Sequence, residues 1–333
     1  MIKREPASGV VMFDIITNKG ERFIVCSALG HLYSLFPVEK NRKNYPVYEV
    51  IWSPRHSATV REKRRITQTL KAIENISKAA TGFIHACDYD LEGELIGYNI
   101  LQYACNNKYE VSKRAKFSSL TNSEINHSFN NLQDTNVRIA DAAKARHLTD
   151  FIFGINLSRA LVNCLNVSNQ NNQYHNLTIG RVQGPTLGFV VNREIKIRSH
   201  IPDPLWHISG KFDNGCSTFK ANLISAVHKS SDIEKILTSC QNETGVISQI
   251  VQRNNKLGPP TPFNLTNLQK EAYRIFKMPP ITTLFVAESL YLAGLISYPR
   301  TSSQKLPSSI GYKQILDQLR INHFKHDENI IKD

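Results

Sequence analysis

Residues 294–303 read Gly-Leu-Ile-Ser-Tyr-Pro-Arg-Thr-Ser-Ser, so a phenol, a guanidinium and three following hydroxyls lie within a few positions of one another. A phenol titrates near 10, well below an aliphatic alcohol, so Tyr298 can attack a phosphodiester and later leave from it with comparable ease. Arg300 offers a planar cationic fork for the phosphate under attack. Pro299 holds Tyr298 in extended backbone, which presents the phenol from a turn or strand, and Gly294 is a natural stop for the helix before it. An ordinary exposed turn would carry the same residues, and this motif alone does not separate the two readings.

A second group is Asp88-Tyr89-Asp90-Leu91-Glu92-Gly93-Glu94. It follows a short apolar run, 82–87, that reads as a buried strand, and it precedes a helix running toward Cys105. In extended backbone, residues two apart share a side, so Asp88, Asp90 and Glu92 can converge. Clustered carboxylates repel unless a cation sits among them, and hard oxygen ligands select Mg2+. A solvated acidic turn is the plain alternative. A chain of net charge +13 gains little from exposed carboxylates unless a metal screens them. A third group, 178–186, places Arg181 and Gln183 beside glycines at the start of a helix. That suits phosphate contact, though a glycine that lets helices pack is the simpler reading.

The positioning elements follow from periodicity. Residues 10–17 and 23–26 alternate as a hairpin around Asn18-Lys19-Gly20, and 28–32 make a tight loop in which His31 is either a site residue or a packed structural histidine. Residues 62–80 read as a surface helix. A strand at 115–117 leads to Thr121, which with Glu124 makes a capping box. Residues 137–165 form one long helix or two, with Arg146 and Asp150 on one face. A polar loop spans 169–176, and a second helical section runs from near Gly180 to Arg198. Pro202 and Pro204 mark a boundary into strands at 206–212, 218–223 and 245–251 and a short helix at 232–240. Residues 258–262 are a hinge. Beyond it Thr266 caps a helix to Phe276, Thr282 begins the helix that ends at Gly294, and a further helix covers 312–319. Strand, acidic loop, helix is the order of an α/β sheet with its site at the carboxyl ends of the strands.

The chain has 333 residues, enough for several domains, and 41% are hydrophobic, which excludes a disordered chain. No apolar run approaches the roughly 18 residues of a membrane span, and the N-terminus lacks a secretion signal, so a cytoplasmic protein is expected. The positive charge favours a polyanion, nucleic acid first. Basic residues gather at Lys40, Arg42 and Lys43, at 61–65 and at 113–116. The six cysteines form no Cys-x-x-Cys pair, which argues against a zinc ribbon or a disulfide framework and for buried reduced thiols.

The acidic loop at 88–94 resembles the acidic motif of Toprim domains. Gly180-Arg181-Val182-Gln183 and the run from Ile296 to Ser303 resemble hallmarks of type IA DNA topoisomerases, in the family's order and spacing, and the continuation past Ser303 resembles archaeal members. The resemblance covers nearly the whole chain. It implies an α/β multidomain fold: a Rossmann-like Toprim domain (1–135), a helical DNA-groove domain (136–200), a β-rich arch and hinge segment (201–262), and a helical, winged-helix-like domain (263–333) carrying the tyrosine. It implies Tyr298 as nucleophile, Arg300 steadying the scissile phosphate, and Asp88, Asp90 and Glu92 holding Mg2+. Arg181, Gln183, Arg146, Asp150 and His31 would contact DNA.

The implied substrate is single-stranded or negatively supercoiled DNA, in a nucleoid-associated protein with no membrane partner. Leu91 replaces an arginine common between the last two acids of the family motif. The family's first strand, with its glutamate and lysine, has no counterpart here. Glu5 does not replace that glutamate, and a His-x-Ala-Ile-x-Pro segment after the tyrosine is also missing. The expectation is a chain truncated at both ends, with a second polypeptide supplying the missing strand and arch. Two alternatives stay open: a Toprim nuclease or primase that uses the carboxylates alone, and a DNA-binding fragment without turnover.

Overall fold

The computed structural model describes residues 2–4, 10–17, 20–28, 30–39, 41, 44–55, 59–168, 177–306 and 311–322. The turn at Asn18-Lys19, the basic cluster at Lys40, Arg42 and Lys43, the polar loop at 169–176 and Glu5 lie outside these residues.

The expected hairpin is β2 (Met12–Ile16) and β3 (Arg22–Cys26), paired from Met12 opposite Cys26 to Ile16 opposite Arg22. A short β1 (Ile2–Arg4) adds antiparallel to β2. A second hairpin follows, β4 (Tyr33–Pro37) with β5 (Val50–Pro54). Helix α1 (Val60–Ser77) is capped by Thr59, whose side chain accepts from the Glu62 amide. Its polar face carries exposed Arg61, Lys63, Arg64 and Arg65. Its apolar face, Ile66, Leu70 and Ile73, closes a core with Leu32, Tyr33, Leu101, Ala104, Tyr109 and Ala140.

The acidic loop sits in a β-α-β unit. β6 (Ile84–His85) leads into α2 (Leu91–Asn99), which ends in one π turn (Ile100–Ala104), and β7 (Lys113–Arg114) returns parallel to β6. The strand expected at 115–117 thus lies two residues earlier, although the Ala115 amide still donates to the His85 carbonyl at 3.0 Å. The basic run 113–116 is not a surface patch either, because Arg114 is buried. Helix α3 (Asn122–Asn130) starts after Thr121, but no side-chain bond caps it. β8 (Gln133–Asp134) then pairs antiparallel with β7. The long segment after it is one helix, α4 (Val137–Ser168), with Ala140 and Ala143 buried.

The described chain divides into two contact units, the residues through Arg181 with those from Pro260 onward, and Val182–Pro259. The second unit contains α5 (Gln183–Arg198), a hairpin of β9 (Ser209–Asp213) and β10 (Thr218–Asn222), and α6 (Ser230–Cys240). Residues 245–251 form no strand, a correction to the expected third one. Their β-branched side chains suit a sheet, but no partner strand reaches them among the described residues, and Val246, Ile247 and Ile250 remain exposed.

In the first unit, α7 (Leu265–Phe276) is capped by Asn264, whose side chain accepts from the Asn267 amide; Thr266 already lies inside the helix. Helix α8 (Pro280–Leu292) begins two residues before Thr282, since proline at the first helical position forfeits no hydrogen bond. Helix α9 (Tyr312–Asn322) covers the last expected segment. The described cysteines form no disulfide, but Cys164, Cys216 and Cys240 are exposed, which corrects the expectation of buried thiols. Among the described residues no helix is long and apolar enough to cross a membrane.

Candidate active site

The loop after β6 is held by close packing. Asp90 is extended and caps α2, its carboxylate accepting from the Gly93 amide at 2.6 Å. The helix start favours this negative charge. A side chain at Gly93 would put Cβ 2.2 Å from the Asp88 carbonyl, and one at Gly97 would meet the His85 ring at 2.1 Å. Both glycines are therefore required for α2 to lie against β6.

Beneath the loop is a buried charge network. Glu94 accepts from the Tyr109 hydroxyl at 2.6 Å and from Arg114 Nε at 3.2 Å, and His85 Nε2 lies 3.5 Å away. The Arg114 guanidinium also donates to the carbonyls of His85 (3.0 Å), Cys87 (2.8 Å), Asp88 (2.9 Å) and Ala115 (2.9 Å). Burial alone would raise the Glu94 carboxyl. The contacts from His85, Tyr109 and Arg114 outweigh it and bring the group down to about 2.

Tyr298 reaches the loop from the other side. Helix α8 stops at Gly294, which has φ +72, and the Gly294 amide donates to the Tyr291 carbonyl at 2.8 Å. The Tyr298 amide donates to the Ser118 carbonyl at 2.7 Å. Glu124 fixes that serine, accepting from its amide at 2.6 Å and its hydroxyl at 2.7 Å, and also accepts from Ser119. This is where the carboxylate of the expected capping box has gone. The Tyr298 hydroxyl donates to Asp90 Oδ2 at 2.6 Å, and the Tyr291 hydroxyl donates to Asp88 Oδ1 at 3.2 Å. The two rings pack edge to face at 5.2 Å.

Burial, then the hydrogen bond to Asp90 and the charges of Asp90 and Asp88, push the Tyr298 phenol well above its ordinary range; Arg300 acts against this. Asp88 is raised as well, by burial and by Asp90, with Tyr291 and Arg300 opposing. Arg300 does not touch the phenol. Its guanidinium donates twice to Glu288, at 2.8 and 2.5 Å.

Glu92 faces elsewhere. It lies in the first turn of α2, so the alternation of extended backbone breaks before it. Its Oε2 is 2.9 Å from His31 Nε2 and 2.8 Å from His147 Nε2, and its Oε1 is 3.1 Å from Arg146. Burial raises its carboxyl, and the two imidazoles reverse that and leave it lowered. Arg146 lies 4.0 Å from Asp150, which holds Arg181 at 2.5 Å. His31, Glu92, Arg146, Asp150 and Arg181 therefore form one chain of contacts. Gln183 is the first residue of α5, in the other contact unit.

A DNA topoisomerase family model matches residues 134–332 and a Toprim domain model matches residues 13–120. The chain belongs to the type IA DNA topoisomerases. DNA topoisomerase 1 of Pyrococcus horikoshii is 39% identical over 313 residues, covering 93% of this chain and 45% of the relative. DNA topoisomerase 1 of Methanocaldococcus jannaschii is 38% identical over 344 residues, covering 99% and 43%. The full-length topoisomerase I structure from Thermotoga maritima shares the fold with a TM-score of 0.59 at 23% identity, covering 93% of this chain and 50% of that one. The chain spans less than half the length of the curated relatives it matches.

Toprim chemistry asks for a cation among the acids, and the donor set fits one at Asp88 and Asp90. Both carboxylates present hard oxygens; that of Asp88 accepts from Tyr291, that of Asp90 from Tyr298 and the Gly93 amide, and among the described residues no ion pair reaches either. Glu92 differs in being held by imidazoles and a guanidinium. The type IA pattern legible in the sequence passed over His147, although it adjoins Arg146 on α4. It also passed over Tyr291, seven positions before Tyr298 across a helix end, where no spacing rule applies.

Proposed function

We propose that the chain is the core of a topoisomerase that cleaves and rejoins single-stranded DNA through Tyr298, relaxing negative supercoils without ATP. The observation that supports this best is the 2.6 Å hydrogen bond from the Tyr298 hydroxyl to Asp90 on the Toprim loop. The phenol oxygen attacks phosphorus and its proton passes to Asp90. The bond from phosphorus to the 3′ oxygen breaks, that oxygen takes up the proton passed on from Asp90 and leaves as a hydroxyl, and a 5′-phosphotyrosyl diester remains. The diester conserves the energy of the broken bond, so the reverse attack reseals the strand.

Asp88 and Asp90 would hold Mg2+, which would supply charge neutralisation at the phosphate, and Glu92 would join them only on leaving His31 and His147. Asp88 and Asp90 disfavour the phenolate while they are ionised and uncompensated. The nucleophile is thus quiet until positive charge arrives. Arg300 lies within electrostatic reach of both Tyr298 and Asp90 and steadies the phosphate on exchanging Glu288 for it. Arg146, Asp150, Arg181 and His31 contact the strand, and Gln183, in its own unit, is a further DNA contact in this reading. The Asp150–Arg181 bridge is exposed, and such bridges are worth only about 0–1 kcal/mol, so a phosphate displaces it at little cost.

The proposed organisation is a Toprim domain at 1–135, a helical groove domain at 136–200, a β-rich arch at 201–262 and a helical, winged-helix-like domain from 263, in a cytoplasmic, nucleoid-associated protein.

The test mixes labelled single-stranded DNA with the chain and Mg2+ and traps with denaturant. A covalent adduct in the wild type and none in Tyr298→Phe is expected. An adduct that persists in Tyr298→Phe overturns the assignment, cleavage with no adduct indicates a Toprim nuclease, and salt-sensitive binding alone indicates a DNA-binding fragment.

A further inference from the structure

We propose that His31, Glu92 and His147 form a binding site for one divalent transition cation of the Zn2+ class, with its remaining coordination positions open. The site shares Glu92 with the proposed Mg2+ ligands but uses neither Asp88 nor Asp90, and it does not depend on the topoisomerase reading. Three ligand atoms from three separate elements, a loop, α2 and α4, lie within 4.8 Å of one another. Both imidazoles aim Nε2 at the same carboxylate oxygen, at 2.9 and 2.8 Å. Neighbouring ligands on a metal with bonds of about 2.1 Å stand roughly 3.0–3.4 Å apart, so an ion drawn between them spreads these separations by only a few tenths of an ångström.

The ligand types choose the ion. Two imidazoles with one carboxylate favour Zn2+, Co2+ or Ni2+, whereas Mg2+ prefers oxygen alone. Three protein ligands leave positions for water or a phosphate oxygen. The surroundings hold the set in place. The His31 and His147 rings lie 5.2 Å apart, and Trp52 packs at 6.1 Å from His147. Arg146 grips Glu92 Oε1 at 3.1 Å and leaves Oε2 for a single bond to the ion, the outer contact that orients a ligating carboxylate. Each Nε2 hydrogen-bonds to the carboxylate, so metal uptake moves that proton off the ligating nitrogen. In the absence of metal, the same atoms share two hydrogen bonds, which gives an ion-dependent change in what Glu92 does.

Co2+ is the probe. The full chain, stripped of metal and held in excess Mg2+, is titrated while the visible and near-ultraviolet spectra are recorded. The expected result is one equivalent of Co2+ with visible bands of nitrogen and oxygen ligation, no thiolate charge-transfer band, and displacement by Zn2+. His31→Gln and His147→Gln should each weaken uptake at least about tenfold, while Asp88→Asn leaves it unchanged. No uptake, a thiolate band, uptake indifferent to both histidines, or uptake lost in Asp88→Asn overturns the proposal. The wild-type spectrum decides even if a histidine variant fails to fold.

Discussion

Four acids within seven residues meet opposite fates. Glu92 and Glu94 have cationic and imidazole partners: Arg146, His31 and His147 for the first, and Arg114 and His85, with the Tyr109 hydroxyl added, for the second. Asp88 and Asp90 face two phenols, which donate hydrogen bonds without bringing charge. The difference appears in their protonation: Glu92 and Glu94 are lowered, whereas Asp88 is raised. One half of the loop is electrostatically complete and serves as a foundation. The other half is left incomplete beside Tyr298, where the proposed cation would complete it. Arg114 joins the halves, since the guanidinium paired with Glu94 also holds the Asp88 carbonyl.

The comparison breaks most visibly at the foundation. Glu94→Gln leaves Arg114 buried opposite a neutral amide, and the expected loss in chemical unfolding is about 3–5 kcal/mol, the usual cost of orphaning one partner of a buried pair. A loss near zero would mean the network holds nothing. The pH dependence follows the same division. The Glu94 carboxyl is depressed from 4.5 to about 2, so its stabilisation is complete above 4.5 and disappears as pH falls toward 2. That contribution is on the order of 3 kcal/mol. His85 is also depressed, chiefly by burial, so stability begins to fall below 6.5. Unfolding followed from pH 7 to pH 2 should decline in these two windows, and Glu94→Gln should flatten the lower one. The smallest effect has the opposite sign. Asp88 is raised, so its charge costs stability at neutral pH, and that cost vanishes on protonation. Asp88→Asn is expected to be neutral or slightly stabilising in the metal-free chain, read as an unchanged or raised melting temperature.

Much of this was legible in the sequence. The β-α-β unit, the long α4 and the stop at Gly294 follow from periodicity and from glycine, which are local signals. So is the grouping of Asp88, Asp90 and Tyr298, once the family resemblance is seen. The strand expected at 245–251 does not form, because β-branched composition does not specify a partner. Glu92 departs from the expected alternation because alternation assumes extended backbone, and the Asp90 cap starts α2 before it. Arg114 read as part of a basic surface run because no local rule reports that a guanidinium will be buried under a loop twenty residues earlier. His147 and Tyr291 act through contacts between distant elements, which a linear pattern does not encode.

The central claim is that the acids divide into a cation-demanding pair and a satisfied pair. The most direct measurement is calorimetric Mg2+ binding to the metal-free chain and to its Asp88→Asn, Asp90→Asn and Glu92→Gln variants. The account predicts one Mg2+ site that is lost in both aspartate variants and weakened less than about tenfold in Glu92→Gln, since Glu92 faces His31 and His147. Binding that survives Asp88→Asn and disappears in Glu92→Gln would contradict it.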